Sequence, residues 1–150
     1  VLAVRDTAGW RLDPFTDTGE SFYTLAADFT VALDHPAAVA VPATGNTTPA
    51  PGSAGRTVTT VTVREVRDFA WSAGPFDTLS RVTPGGVTIN VHSVAGIAAV
   101  DARAMLSTAG SAMDTHARAY GAYPYTELDV VLDDDLWSAA WSTRGSSWPG

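Results

Sequence analysis

Tyr23-Thr24-Leu25-Ala26-Ala27-Asp28-Phe29-Thr30-Val31-Ala32-Leu33-Asp34 is the stretch that decides the fold. Tyr23, Leu25, Ala27, Phe29, Val31 and Leu33 fall on one face of an extended chain, and Thr24, Ala26, Asp28, Thr30 and Asp34 fall on the other. Side chains of a strand point alternately to opposite faces, so this period of two predicts a long half-buried β-strand. His35-Pro36 ends it, because proline has no N–H to give to a ladder.

The strand pattern continues to both sides. Val1-Leu2-Ala3-Val4 is a short apolar run that reads as a strand, and Gly9-Trp10-Arg11-Leu12-Asp13-Pro14-Phe15 is rich in turn residues. Residues 39–41 read as a short strand. Residues 42–55 are mostly Pro, Gly, Thr, Ser and Ala, a composition that buries no core, and are expected to form a mobile hairpin loop. The Thr/Val-rich residues 57–63 and then residues 66–71 read as two strands, with a bulge or tight bend at Arg64-Glu65.

The character changes after Trp71. Ser72-Ala73-Gly74-Pro75 is a break and Pro84-Gly85-Gly86 a turn. Val87, Ile89 and Val91 alternate with Thr88, Asn90 and His92, as in a strand. From about Ala98 the apolar spacing becomes helical, through Met105, Leu106, Ala109, Ala112, Met113, His116, Ala117 and Tyr120. Gly121 stands where a helix C-terminal cap is wanted, and Arg118 suits the negative end of the dipole. Gly110 weakens the helix by up to about 1 kcal/mol. Residues 128–132 read as a strand, followed by a polar tail with Trp137, Trp141 and Trp148. The expected fold class is α+β. A β-rich N-terminal lobe, residues 1–73, is followed by a strand–helix–strand unit within residues 74–150.

Composition narrows the function classes. The net charge is −7 and every basic residue is arginine, with no Lys/Arg cluster of the kind that binds phosphates, so nucleic acid is not an expected partner. No run of about 18 apolar residues is present, so no membrane span is expected. Without cysteine there is no disulfide framework, thiol nucleophile or thiolate metal site. The compartment stays open. The chain lacks an initiator methionine and begins in what reads as a strand, which suggests a piece of something longer.

Local motifs decide little. His35, His92 and His116 are far apart, and no His-Glu-x-x-His is present, so no metal ligands are expected. His116 reads as a hydrogen-bonded core histidine on the apolar side of its helix. There is no Gly-x-Ser-x-Gly elbow, and Ser146 and Ser147 read as loop serines. Glu127, Asp129 and Asp133-Asp134-Asp135 form an acidic cluster that reads as a solvated turn. Trp137 and Trp141 are spaced unlike a Trp-Ser-x-Trp-Ser box.

Two phrases carry more information. Val66-Arg67-Asp68-Phe69-Ala70-Trp71 is followed about fifty residues later by Tyr120-Gly121-Ala122-Tyr123-Pro124-Tyr125-Thr126-Glu127-Leu128-Asp129-Val130-Val131. Both resemble recurrent phrases of the M1 (gluzincin) zinc aminopeptidases, as do residues 9–15, Phe22-Tyr23 and Ala43-Thr44-Gly45. The resemblance spans nearly all of the chain. It implies an N-terminal β-saddle, an antiparallel sheet closed by the Arg-Asp-Phe-Ala-Trp strand, and then the start of a thermolysin-like catalytic lobe. It also implies a hydrolase, a zinc-dependent metallopeptidase that removes N-terminal residues from peptide substrates.

The family's His-Glu-x-x-His helix and its later Glu ligand would follow downstream of these residues. This chain alone is therefore expected to hold no zinc and no catalytic residue, the zinc belonging to the full-length parent. The resemblance sets the Gly-Gly-Met-Glu-Tyr-Pro-Gly phrase of bacterial relatives against the tail Arg144-Gly145-Ser146-Ser147-Trp148-Pro149-Gly150, in which Ser146, Ser147, Trp148, Pro149 and Gly150 are a candidate remnant of the wall that grips the substrate amine. Ser147 then stands where the family has the Glu that anchors the ammonium. A β-rich piece of this kind is also expected to self-associate through exposed edge strands. The alternative reading is a non-catalytic binding or interaction module that presents Trp10, Trp71, Trp137, Trp141 and Trp148.

Overall fold

The structure, a computed structural model, describes residues 3–12, 14 and 25–133. A short hairpin, β1 (Val4–Asp6) and β2 (Gly9–Arg11), comes first. The next sheet contains β3 (Ala27–Pro36), β4 (Asn46–Pro51) and β5 (Arg56–Val66) in the order β3-β5-β4, all antiparallel. A third sheet contains β6 (Asp77–Val82), β7 (Thr88–Ser93) and β8 (Glu127–Leu132), with α1 (Ala99–Tyr120) crossing between β7 and β8. β6 and β7 are antiparallel and β7 and β8 parallel, as a helical crossover requires. The α+β, β-rich class expected from the sequence is the class found.

The β3-β5-β4 sheet follows the alternation that predicted it. β3 runs to Pro36 in near-perfect alternation of half-buried and exposed residues. β5 is central and supplies buried Thr59, Val61, Val63 and Val66. The register advances by one extra residue on β5 between Ala27↔Val66 and Phe29↔Val63. Glu65 sits there at φ 55°, its N–H held by the Asp28 carboxylate at 3.0 Å. The irregularity expected at Arg64-Glu65 is thus a bulge within one strand.

Two expectations for this lobe are corrected. Residues 42–55 are not a mobile loop, because β4 lies within them and pairs residue by residue with β5. Its prolines, Pro49 and Pro51, are tolerated because β4 is an edge strand whose outer N–H groups need no partner. The turn that joins it to β5 has Ala54 and Gly55 both at positive φ and a bond from the Arg56 N–H to the Ser53 carbonyl. That is the backbone of a primed hairpin turn. Residues 66–71 are likewise not a separate strand. After Val66 the chain runs extended beside residues 40–44, joined by bridges Ala40↔Gly74 and Ala43↔Trp71. Phe69 leaves the sheet to stack on Phe29, ring centres 5.6 Å apart.

In the third sheet, Ile89 and Val91 of β7 are fully buried. Arg81 pairs with Ile89 and touches the position of Gly110, so α1 covers the Arg81–Ile89–Leu128 face. β6 was not foreseen: its apolar residues Leu79 and Val82 lie on opposite faces, so it carries no alternating signal. Gly121 caps α1 as expected, its N–H reaching the Ala117 carbonyl at 3.1 Å.

His116 is a further correction. It is exposed and leans on Tyr120, with ring centres 5.8 Å apart. The helix overhangs its sheet. Tyr120 lies five full turns beyond Ala102, at the same angular position, yet Ala102 is 2% exposed and Tyr120 86%.

Gly110 is buried against the Arg81 guanidinium, 2.9 Å from where an alanine Cβ would lie. Arg81 is exposed and its tip can swing outward. Gly110→Ala is therefore expected to raise stability by about 0.5–1 kcal/mol through helix propensity, read as an upward shift of the urea midpoint.

Candidate functional site: a cleft beside a cross-strand polar network

A cleft of about 790 Å³ opens between the β3-β5-β4 sheet and the chain that leads into β8. Residues 42–46, 62–66 and 70–72 form one wall; residues 123–129, with Val131 and Asp133, form the other. Two side-chain bonds cross it. The Tyr125 hydroxyl donates to the Glu65 carbonyl at 3.3 Å, and the Thr126 hydroxyl donates to Asn46 Oδ1 at 3.2 Å. Trp71, 57% exposed, stands at its side.

Glu127 and Asp129 line the cleft from β8, two residues apart and hence on one face of the strand. Parallel register sets Asp129 opposite Asn90, and antiparallel register sets Asn90 opposite Ser80 and His92 opposite Thr78. A continuous network results. Ser80 Oγ donates to Asn90 Oδ1 at 2.6 Å, and Asn90 Nδ2 donates to Asp129 Oδ1 at 3.0 Å. His92 Nε2 meets the same Asp129 oxygen at 2.8 Å, while its Nδ1 meets the Thr78 hydroxyl at 2.9 Å. With Nε2–H donating to the carboxylate, neutral His92 accepts from Thr78.

Burial pushes the Glu127 carboxyl above its usual range, and the charge of Asp129 and a hydrogen bond with it push the same way. A bond from Asn90 and the proximity of His92 oppose the rise. Tyr123 is also raised, first by burial, then by Tyr125 and Asp129.

The hydroxyl–imidazole–carboxylate order of Thr78, His92 and Asp129 matches an acyl-transfer relay. Thr78 does not line this cleft, however. The network joins three neighbouring strands on a single face and satisfies each polar group it contains, which is what a cross-strand ladder does.

A second hollow, about 410 Å³, runs along the overhanging end of α1 between Met113, His116, Tyr120, Tyr123, Pro124 and Leu128. On the β1–β2 hairpin, Trp10 is 74% exposed, with the Arg5 guanidinium 6.0 Å from its ring.

The sequence-derived candidates fare unevenly. Ser146, Ser147, Trp148, Pro149 and Gly150, with Trp137 and Trp141, lie outside the described residues. Glu127 and Asp129 are not a solvated turn: both are half-buried in the strand itself. Among the described residues no three His, Asp or Glu side chains converge as metal ligands. His35 is held by Thr59 Oγ1 and the Pro36 carbonyl, and His92 by Thr78 and Asp129. Among the described residues no helix is long and apolar enough to cross a membrane. The His92–Asp129 pair escaped sequence reasoning because 37 residues separate the two. The alternation of Asn90 and His92 against Ile89 and Val91 was the available signal that β7 has a polar face.

No protein-family model matches the chain, and no curated protein matches it.

Proposed function

We propose that the chain is the junction between the β-saddle and the catalytic lobe of an M1-type zinc aminopeptidase, inactive by itself. One observation carries the reading. Ala70-Trp71, from the first family-like phrase, and Tyr123-Pro124-Tyr125, from the second, stand on opposing walls of one cleft. About fifty residues separate them in sequence, so a shared cleft gives both phrases a reason to occur together.

In such an enzyme zinc polarises the scissile carbonyl and activates water. Its ligands in that family come from a His-Glu-x-x-His helix and a later Glu, a phrase that these 150 residues do not contain. The part assigned to this chain is architectural. β4, β5 and the Trp71 segment hold one side of a peptide-accepting cleft, and β8 with its polar ladder holds the other.

A binding module is the second reading, favoured by the exposure of Trp10 and Trp71. An aromatic face left in water is an apolar contact surface for a partner.

The test compares this chain with the full-length product of its gene. Zinc content and release of N-terminal residues from peptides are measured on both. The expected result is zinc and turnover in the longer protein alone. A following sequence without His-Glu-x-x-His, or a longer protein lacking zinc and turnover, overturns the enzymatic reading in favour of the binding module.

A further inference from the structure

We propose that Asp28, Glu65 and Tyr125 form a backbone clasp across the cleft. The carboxylate of Asp28 on β3 holds the bulged Glu65 in the conformation that offers its carbonyl to Tyr125, and so controls from a neighbouring strand how firmly the two walls are joined. The proposal does not rest on the enzymatic reading.

The phase of β5 explains why a bulge is needed. Val63 and Val66 are both buried, at 8% and 6% exposure, yet stand three residues apart. In a regular strand that spacing sends two side chains to opposite faces. Here Val63 pairs with Phe29 and Val66 with Ala27, so that Arg64 and Glu65 together oppose the single Asp28. Both are exposed, and the extra residue brings Val66 back to the core face.

Phase alone does not say how the bulge is held or where it points. Glu65 has φ 55°, a left-handed conformation that disfavours a residue with a Cβ by about fivefold or more in population. Two bonds offset that cost. The Glu65 N–H donates to Asp28 Oδ1 at 3.0 Å, and the Glu65 carbonyl accepts from the Tyr125 hydroxyl at 3.3 Å. The N–H and the carbonyl stand on either side of one Cα, so the dihedral angles of Glu65 set how they point relative to each other. With the N–H held on β3, a return to negative φ turns the carbonyl off Tyr125. Each bond favours the conformation that the other requires, which is the condition for coupling between two places.

The far side of the clasp is itself positioned. Tyr125 packs edge-on against Tyr123, with ring centres 5.5 Å apart. The neighbouring bridge, from the Thr126 hydroxyl to Asn46 Oδ1 at the head of β4, crosses the same cleft without involving Glu65. It is a built-in control. Asp28 does not line the cleft, so any effect it has on the far wall passes through the bulge.

Hydrogen exchange of the 150-residue protein reads the clasp. Tyr125→Phe is expected to lower protection over residues 123–126 about fivefold, the usual worth of one hydrogen bond, and to leave α1 unchanged. Asp28→Ala should lower protection in the same residues by about threefold, and should add nothing there once Tyr125→Phe is present. Combined with Thr126→Val, its effect should multiply, because that bridge bypasses the bulge. Asp28→Asn keeps an oxygen that accepts the Glu65 N–H and should resemble wild type. Glu65→Gly enters the left-handed region without a steric cost, so adding it to Asp28→Ala should restore the protection of residues 123–126. A bulge that serves only the phase of Val66 gives a different pattern: Asp28→Ala then loosens residues 27–29 and 63–66 and leaves 123–126 as they were. That pattern, losses from Asp28→Ala and Tyr125→Phe that multiply, or no rescue by Glu65→Gly, would overturn the proposal.

Discussion

Ile89→Ala is expected to destabilise the protein by about 3–5 kcal/mol, the upper part of the range for removing a buried aliphatic side chain. Ile89 has no exposed surface. It sits in the central strand of the third sheet, paired with Arg81 on β6 and Leu128 on β8 and roofed by α1. Strands on both sides and a helix above leave the backbone little room to collapse into the vacated volume. The cost is then lost transfer energy plus an unfilled cavity. Small domains hold about 5–15 kcal/mol in all, so this single change removes a large share. Urea denaturation followed by circular dichroism measures it. Val82→Ala, at a position 64% exposed one strand away, is the control and should stay within about 0.5 kcal/mol of wild type. Equal midpoints for the two variants would mean that the third sheet is not packed around Ile89.

Gly45→Ala is expected to cost a similar amount, about 3–5 kcal/mol, by strain rather than by a cavity. Gly45 precedes β4 at φ +104°, where L-residues are disfavoured. An added Cβ would lie 2.6 Å from the Cβ of Val63, which is fixed by the backbone of β5 and cannot rotate away. Either β4 lifts off β5 or Val63, buried at 8% exposure, is displaced from the core. Gly55 separates the two contributions. It too has positive φ, but nothing stands within 4 Å of its added Cβ. Gly55→Ala should therefore lose only the backbone term, about 1 kcal/mol. Comparable losses at Gly45 and Gly55 would show that the contact with Val63 carries no energy.

The two predictions mark where sequence reasoning reached and where it stopped. Ile89 was legible: Val87, Ile89 and Val91 alternate with polar neighbours, and the structure buries all three. Gly45 was not. It stood in a stretch that reads as a loop by composition, and its role depends on a β5 side chain eighteen residues on. β4 was missed for the same reason. Asn46–Pro51 is exposed throughout, so burial writes no period into it, and the strand exists because β5 offers it a ladder. β6 is an edge strand too, and its apolar residues fall out of phase.

The candidate site divides the same way. Its aromatic and proline residues were noticed as phrases, and Glu127 and Asp129 as an acidic cluster. That Asp129 binds His92 and Asn90 rather than water follows from β7–β8 register, which no local pattern encodes. His116 shows the converse failure. Its spacing was correct for a buried helix face, but the helix outruns the sheet that would bury it.

The sequence by itself determined the long alternating strands, the helix and its glycine cap, the bulge at Glu65, and the exclusion of cysteine chemistry. These are properties of neighbouring residues, fixed by backbone sterics and by the periods of 2 and 3.6. Only the tertiary structure decided which strands pair, which edges accept prolines, and that Trp71 and Tyr123 share a cleft. Those outcomes depend on packing between segments tens of residues apart, where the gain comes from surfaces meeting and leaves little trace in either segment alone.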